Sequence, residues 1–147
     1  MNWKWSNVPI PEAHLFGLVI GTALQVLFSK NLFQTAWIGP IIGWPFIIAG
    51  IGLCIWAVIA ARETNIANPN ILLKNGPYAL GRNPMYVGWA FISSGISLAA
   101  NSFSIMALLP IVFIYIHFVD IRNEERSLAE QFGTEYRQYR QQVRRYF

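Results

Sequence analysis

Apolar residues gather in four blocks, at 14–28, 37–61, 85–100 and 103–119, with the polar positions collected between them. No block alternates like a strand, and each approaches the ~20 apolar residues that a helix needs to cross a bilayer. Polar flanks lengthen the shorter blocks, so the predicted spans are about 14–29, 37–61, 84–100 and 103–120. Only Asn101-Ser102 separates the last two, which predicts a tight antiparallel helical hairpin. Gly17 and Gly21, and Gly39 and Gly43, have the four-residue spacing that lets helices approach closely. Pro45 and Pro110 fall inside the second and fourth spans and should bend them. Beyond Asp120 the pattern changes: Leu128, Phe132, Tyr136, Tyr139 and Val143 recur every three or four residues among Arg, Glu and Gln, an amphipathic helix. Gly133 should interrupt it, with Thr134 capping the restart. The fold class is thus an all-α membrane protein, one domain over 1–147, with a connecting loop at 62–83 and a cytosolic amphipathic tail at 121–147.

Composition agrees. Charged residues are 12% of the 147-residue chain, about half of the usual ~25% of a soluble domain. That length leaves no room for a separate soluble catalytic domain, so any site must be built from the spans and their extensions. The single cysteine, Cys54, excludes a disulfide within the chain and reads as a small buried hydrophobe. The N-terminus does not read as a removable signal; Trp3 and Trp5 look like interfacial aromatics.

Charge sets the expected topology. In a four-span arrangement Lys4, Arg62, Lys74, Arg82, Arg122, Arg126, Arg137, Arg140, Arg144 and Arg145 share one side and Lys30 alone lies on the other. The rich side should be cytosolic, with both termini on it. The basic stretch 137–147 reads as an interfacial helix on anionic lipid.

Familiar soluble chemistry is missing: no Walker loop, zinc-type His or Cys cluster, nucleophile elbow or dinucleotide fingerprint, so no metal is expected. Of the two histidines, His14 reads as interfacial. His117 stands three residues before Asp120 and seven before Glu124, near one helical face at a span's mouth. Ionisable groups at that depth are costly, which makes His117, Asp120 and Glu124 the candidate catalytic groups.

Two segments carry the most information. The first runs Leu72-Leu73-Lys74-Asn75-Gly76-Pro77-Tyr78, then Arg82-Asn83-Pro84-Met85-Tyr86-Val87-Gly88; the second runs Glu124-Glu125-Arg126-Ser127-Leu128, then Phe132-Gly133-Thr134-Glu135-Tyr136. In this order, one hairpin apart, they resemble the integral-membrane S-adenosylmethionine-dependent methyltransferases: the isoprenylcysteine carboxyl methyltransferases and their phospholipid N-methyltransferase relatives. The resemblance covers about 62–147. It implies S-adenosyl-L-methionine as cofactor, bound by Asn70, Ile71, Leu72, Leu73, Tyr78, Asn83, Pro84, Met85, Tyr86, Glu124 and Glu125, with Arg82 and Arg122 bracing the carboxylates or orienting substrate. A carboxylate suits the cofactor's ammonium, and aromatic faces suit its adenine and sulfonium.

The prenylcysteine enzymes usually have His where this chain has Asn83, a choice common among bacterial relatives, which points to a bacterial or archaeal cytoplasmic membrane. Their substrate-facing arginine, four residues before the first Glu, aligns with Asp120. An acidic group there repels a carboxylate and shifts the acceptor toward an amine, a thiol or another lipophilic group; Arg122 points to a different helical face. The implied partners are a lipophilic methyl acceptor reached from the bilayer and membrane lipids, with no nucleic acid and the oligomeric state left open. Two alternatives share the architecture: a relative of the NADPH-dependent sterol reductases, and a non-catalytic four-span protein.

Overall fold

The computed structural model describes residues 11–65 and 69–147, which leaves Trp3, Trp5 and Lys4 outside the described residues. Those described form helices α1 (Glu12–Phe28), α2 (Ile38–Ala60), α3 (Pro84–Ala99), α4 (Phe103–Tyr115) and α5 (Ile121–Gln142), with a 3-10 turn at Gly76–Ala79 and a π turn at Ile116–Asp120. Among the described residues no strand forms; a lone bridge pairs Asn31 with Ser102. By length and composition α2 and the run Phe103–Gln142 could cross a membrane, and α1, at 17 residues, is a shorter apolar helix. Large apolar side chains such as Leu27, Ile48 and Ile114 lie exposed around the outside, as expected where the surrounding solvent is lipid.

Small residues set the helix pairing. A methyl on Gly43 would stand 2.5 Å from the Gly95 carbonyl oxygen, and one on Gly50 2.5 Å from that of Gly88, so α2 and α3 meet backbone to backbone. Gly39 abuts Leu98 at one end while Cys54 packs on Gly88 near the other, and the pair is antiparallel. In the same way Gly17 faces Val112 and Gly21 faces Ile105, joining α1 to α4. The main neighbour of α3 is α2, and that of α4 is α1, while α3 and α4 touch each other less. Both α2 and α4 run on through their internal prolines.

At one end of the bundle Asn101 adopts a left-handed backbone (φ 50°). Its side chain accepts from Phe33 N (2.8 Å) and donates to Phe33 O (3.0 Å), fastening the α1–α2 connection to the α3–α4 turn. His14, expected at the membrane surface, turns into the protein instead: it is buried against Ser93 (3.0 Å), with Trp89 and Phe113 beside its ring.

At the other end α4 continues through the π turn into α5. Gly133 breaks the helical geometry (φ 51°, ψ −115°), as expected, and the helix resumes. It stops at Gln142, with Val143 extended, so the predicted interfacial helix over 137–147 is shorter than expected. Nor does its apolar face lie open to lipid: Tyr136 and Tyr139 bury against Leu72, with Leu128, Phe132 and Val143 around them. The tail covers the loop.

Candidate active site

The loop 69–83 is shaped by residues with little conformational choice. Gly76 takes a positive φ of 61°, and Pro77 stiffens the 3-10 turn that buries Tyr78. Pro84 opens α3, where a missing N–H costs nothing, and holds Asn83 in a non-helical conformation just before it. Asn83, Pro84 and Met85 are all buried where the loop enters the bundle.

Two cavities meet here. The larger, about 750 Å³, lies between α1, α3, α4 and the start of α5. Phe16, Ile20, Leu108, Ile111 and Val112 give it apolar walls, and Asn83, Tyr86, Asp120, Asn123 and Glu124 a polar end. The smaller, about 50 Å³, lies beneath the loop and α5, among Ile71, Leu72, Leu73, Glu125, Leu128 and Tyr136. Tyr78, Arg82, Asn83 and Glu124 line both.

Within this common wall the paired carboxylates differ. Glu125 turns away from the larger cavity into two guanidinium groups: Arg82 Nη1 lies 3.1 Å from Oε1, and Arg145 grips both oxygens, Nε to Oε1 at 3.1 Å and Nη2 to Oε2 at 2.6 Å. Glu124 has no such partner among the described residues; the Tyr86 hydroxyl stabilises its charged form. Burial nonetheless raises the Glu124 carboxyl above its ordinary range, and the negative charges of Glu125 and Asp120 add to the rise. Arg82 also donates from Nη1 to the Tyr136 hydroxyl (3.2 Å), while its buried Nε has no partner among the described residues. Tyr139 donates to the Tyr78 carbonyl at 2.6 Å, and burial raises both phenols.

Most of the residues singled out from sequence come together. Ile71, Leu72, Leu73, Tyr78, Asn83, Pro84, Met85, Tyr86, Asp120, Glu124, Glu125 and Arg82 line one cavity or both. Asn70 does not: it bonds to Thr64 (2.7 Å) at the edge of the loop. Arg122 is exposed and lines neither. His117 also lines neither; Arg145 Nη1 lies 3.0 Å from its Nε2 and the Tyr146 hydroxyl 2.8 Å from its Nδ1. The π turn accounts for this separation, since its extra residue rotates His117 off the face that carries Asp120 and Glu124. Glu12 and Trp89 on the larger cavity, and Arg145 and Tyr146 behind it, were not singled out. Arg145 meets Glu125 across 20 positions of chain, a contact that local periodicity does not signal.

A family model described as phospholipid methyltransferase matches residues 38–135. A protein of Cupriavidus metallidurans named cobalt-zinc-cadmium resistance protein CzcN is 27% identical over 129 residues, 84% of this chain and 56% of its own. Methanethiol S-methyltransferase 1 of Bradyrhizobium diazoefficiens is 40% identical over 68 residues, 45% of this chain and 22% of its own. The chain therefore spans about half the length of the first relative and under a quarter of the second. No solved structure matches.

Proposed function

The chain belongs to the phospholipid methyltransferase family, and from that premise we propose that it transfers a methyl group from S-adenosyl-L-methionine to a lipophilic acceptor drawn from the bilayer, an amine being the favoured class. Membership of this family, together with two helices long and apolar enough to cross a bilayer, marks a membrane protein. We read α1, α2, α3 and the apolar stretch of α4 as four crossings of one domain, with the loop 62–83 and the tail on the cytosolic face.

The observation that carries the reading is the polar wall shared by the two cavities. The residues there fit the cofactor: Glu124 offers a carboxylate to an ammonium, Arg82 Nε, unpartnered among the described residues, an N–H to a carboxylate, and Tyr78 and Tyr86 aromatic surface to a sulfonium or a purine. When bound, the cofactor supplies an activated methyl group. The chain's own task is to align the acceptor in a dry space, for which the apolar walls of α1 and α4 suffice. Glu12, Asp120 and Glu124 line that space, and among the described residues its one lining cation, Arg82, is already engaged with Glu125. Such walls attract a protonated amine and repel a carboxylate. Asp120 can take the proton that an amine must lose before it attacks. His117 reaches the cavity only if Arg145 and Tyr146 release it, so we assign its proton-accepting role to Asp120.

Protein in lipid nanodiscs, given methyl-labelled cofactor and a total lipid extract, should place label in amine-bearing lipids. Asp120→Arg should abolish that transfer while leaving binding of S-adenosylhomocysteine, measured by calorimetry, nearly intact. Binding of NADPH in place of S-adenosylhomocysteine would restore the reductase alternative, and efficient methylation of a prenylcysteine carboxylate would overturn the amine assignment.

A further inference from the structure

Most arginines of the tail point to solvent or lipid, but Arg145 turns inward. Besides its two-pronged grip on Glu125 it contacts His117, and its backbone carbonyl accepts from Asn83 Nδ2 at 3.2 Å. The adjoining Arg144 carbonyl accepts from Arg82 N at 3.0 Å. Tyr146 and Phe147 close over Gly81, where a methyl would stand 3.2 Å from their backbone. Residues 143–147 thereby bind the loop, the π turn and α5 at once.

We infer that Arg145 is a positioning residue for the acidic wall: it holds Glu125 fixed and charge-compensated, so that Glu124 alone of the pair faces the larger cavity and Arg82 keeps its Nε free for a ligand. The inference rests on the cofactor reading only in naming what Glu124 and Arg82 hold. Glu125 is nine-tenths buried, and a buried carboxylate deprived of one partner draws harder on those that remain. The remaining cation is Arg82, whose Nη1 is already shared between Glu125 and Tyr136. Without Arg145, the charge of Glu125, left to Arg82 alone, would act more strongly on its neighbour. Among the described residues, the groups facing Glu124 are Asp120 and Glu125 from its own helical run, Tyr86 from α3, Tyr78 and Arg82 from the loop, and Glu12 from α1 across the cavity. Arg82 alone among them is cationic, so Glu124 should hold its proton to higher pH once Arg145 is gone.

Two measurements in nanodiscs test this. Dicyclohexylcarbodiimide modifies protonated carboxyls in apolar surroundings, and mass spectrometry reads its attachment at Glu124 as a function of pH without any cofactor. In Arg145→Gln the modification should persist to higher pH, by about one unit, and S-adenosylhomocysteine should bind about ten-fold more weakly, the loss expected for one charge-assisted hydrogen bond. Arg145→Lys keeps the charge without the fork and should lie between. If Arg145→Gln does not fold, Arg145→Lys decides, with wild-type affinity and a wild-type labelling profile counting against the role. The same pair of results in folded Arg145→Gln overturns the inference. A shifted labelling profile in a protein whose wild type binds no S-adenosylhomocysteine would leave the positioning role standing and bring down the cofactor reading instead.

Discussion

Glu124 and Glu125 are adjacent in sequence, equal in chemistry and opposite in surroundings. Glu124→Gln keeps the size and loses the charge, so S-adenosylhomocysteine should bind about ten-fold more weakly or worse, with no loss of thermal stability. Glu125→Gln should do the reverse, costing on the order of 3 kcal/mol of stability by leaving Arg82 and Arg145 without their shared anion. Calorimetry and thermal unfolding of the two variants separate these outcomes. Proton traffic gives a further check. Because burial raises the Glu124 carboxyl, holding an ammonium there requires a proton to leave, so affinity should climb with pH through that raised range and then level off. For the ligand-free fold the sign is opposite: stability from this group is present below the ordinary carboxylate range and is lost as pH rises through the raised one. Glu124→Gln should flatten the binding profile, and the binding enthalpy of wild type should vary with the buffer's ionisation heat. The place of the first Glu on the cavity wall was readable from the motif; what holds the second was not, because Arg145 reaches it by a long-range contact.

For whole helices, the glycines decide. Gly50→Ala would press a methyl on the Gly88 carbonyl and on Ile92, where backbone cannot yield, and should cost about 1–3 kcal/mol. Gly52→Ala meets no neighbour within 4 Å and should be neutral or slightly stabilising, since alanine favours the helix. Thermal midpoints in one detergent would compare them; equal losses would show that α2 and α3 do not pack through this face. Four apolar blocks, the packing role of Gly17, Gly21, Gly39 and Gly43 and the break at Gly133 were all legible, since each follows from periodicity or backbone freedom. The π turn was not, because nothing in the run Ile116–Asp120 departs from an ordinary helical pattern. A reading in ideal helical turns therefore put His117 on the face of Asp120 and Glu124, whereas its ring nitrogens meet Arg145 and Tyr146.

Across the whole molecule, charge predicts orientation: Lys30 stands alone among eleven Lys and Arg residues on its side of a four-span arrangement. A reporter fused after Phe147 should be active in the cytosol; activity confined to the opposite compartment would part the polar wall from a soluble cofactor. The expectation of anionic lipid on the basic tail holds at most for its outward arginines, since the apolar side of α5 is spent on Leu72 and the loop.

The larger cavity draws its parts from two sources. Its polar end comes from the loop, α3 and the start of α5, within the segment that the family shares, whereas α1, which contributes Ala13, Phe16, Gly17 and Ile20, precedes residue 38 and lies outside it. On the proposed reading, the polar end that would hold the donor lies within the matched segment, and the apolar wall that would meet the acceptor is divided between α4 inside it and α1 ahead of it. Under that reading, substitutions on the α1 face of the cavity would change which acceptors are admitted while the polar end stays as it is.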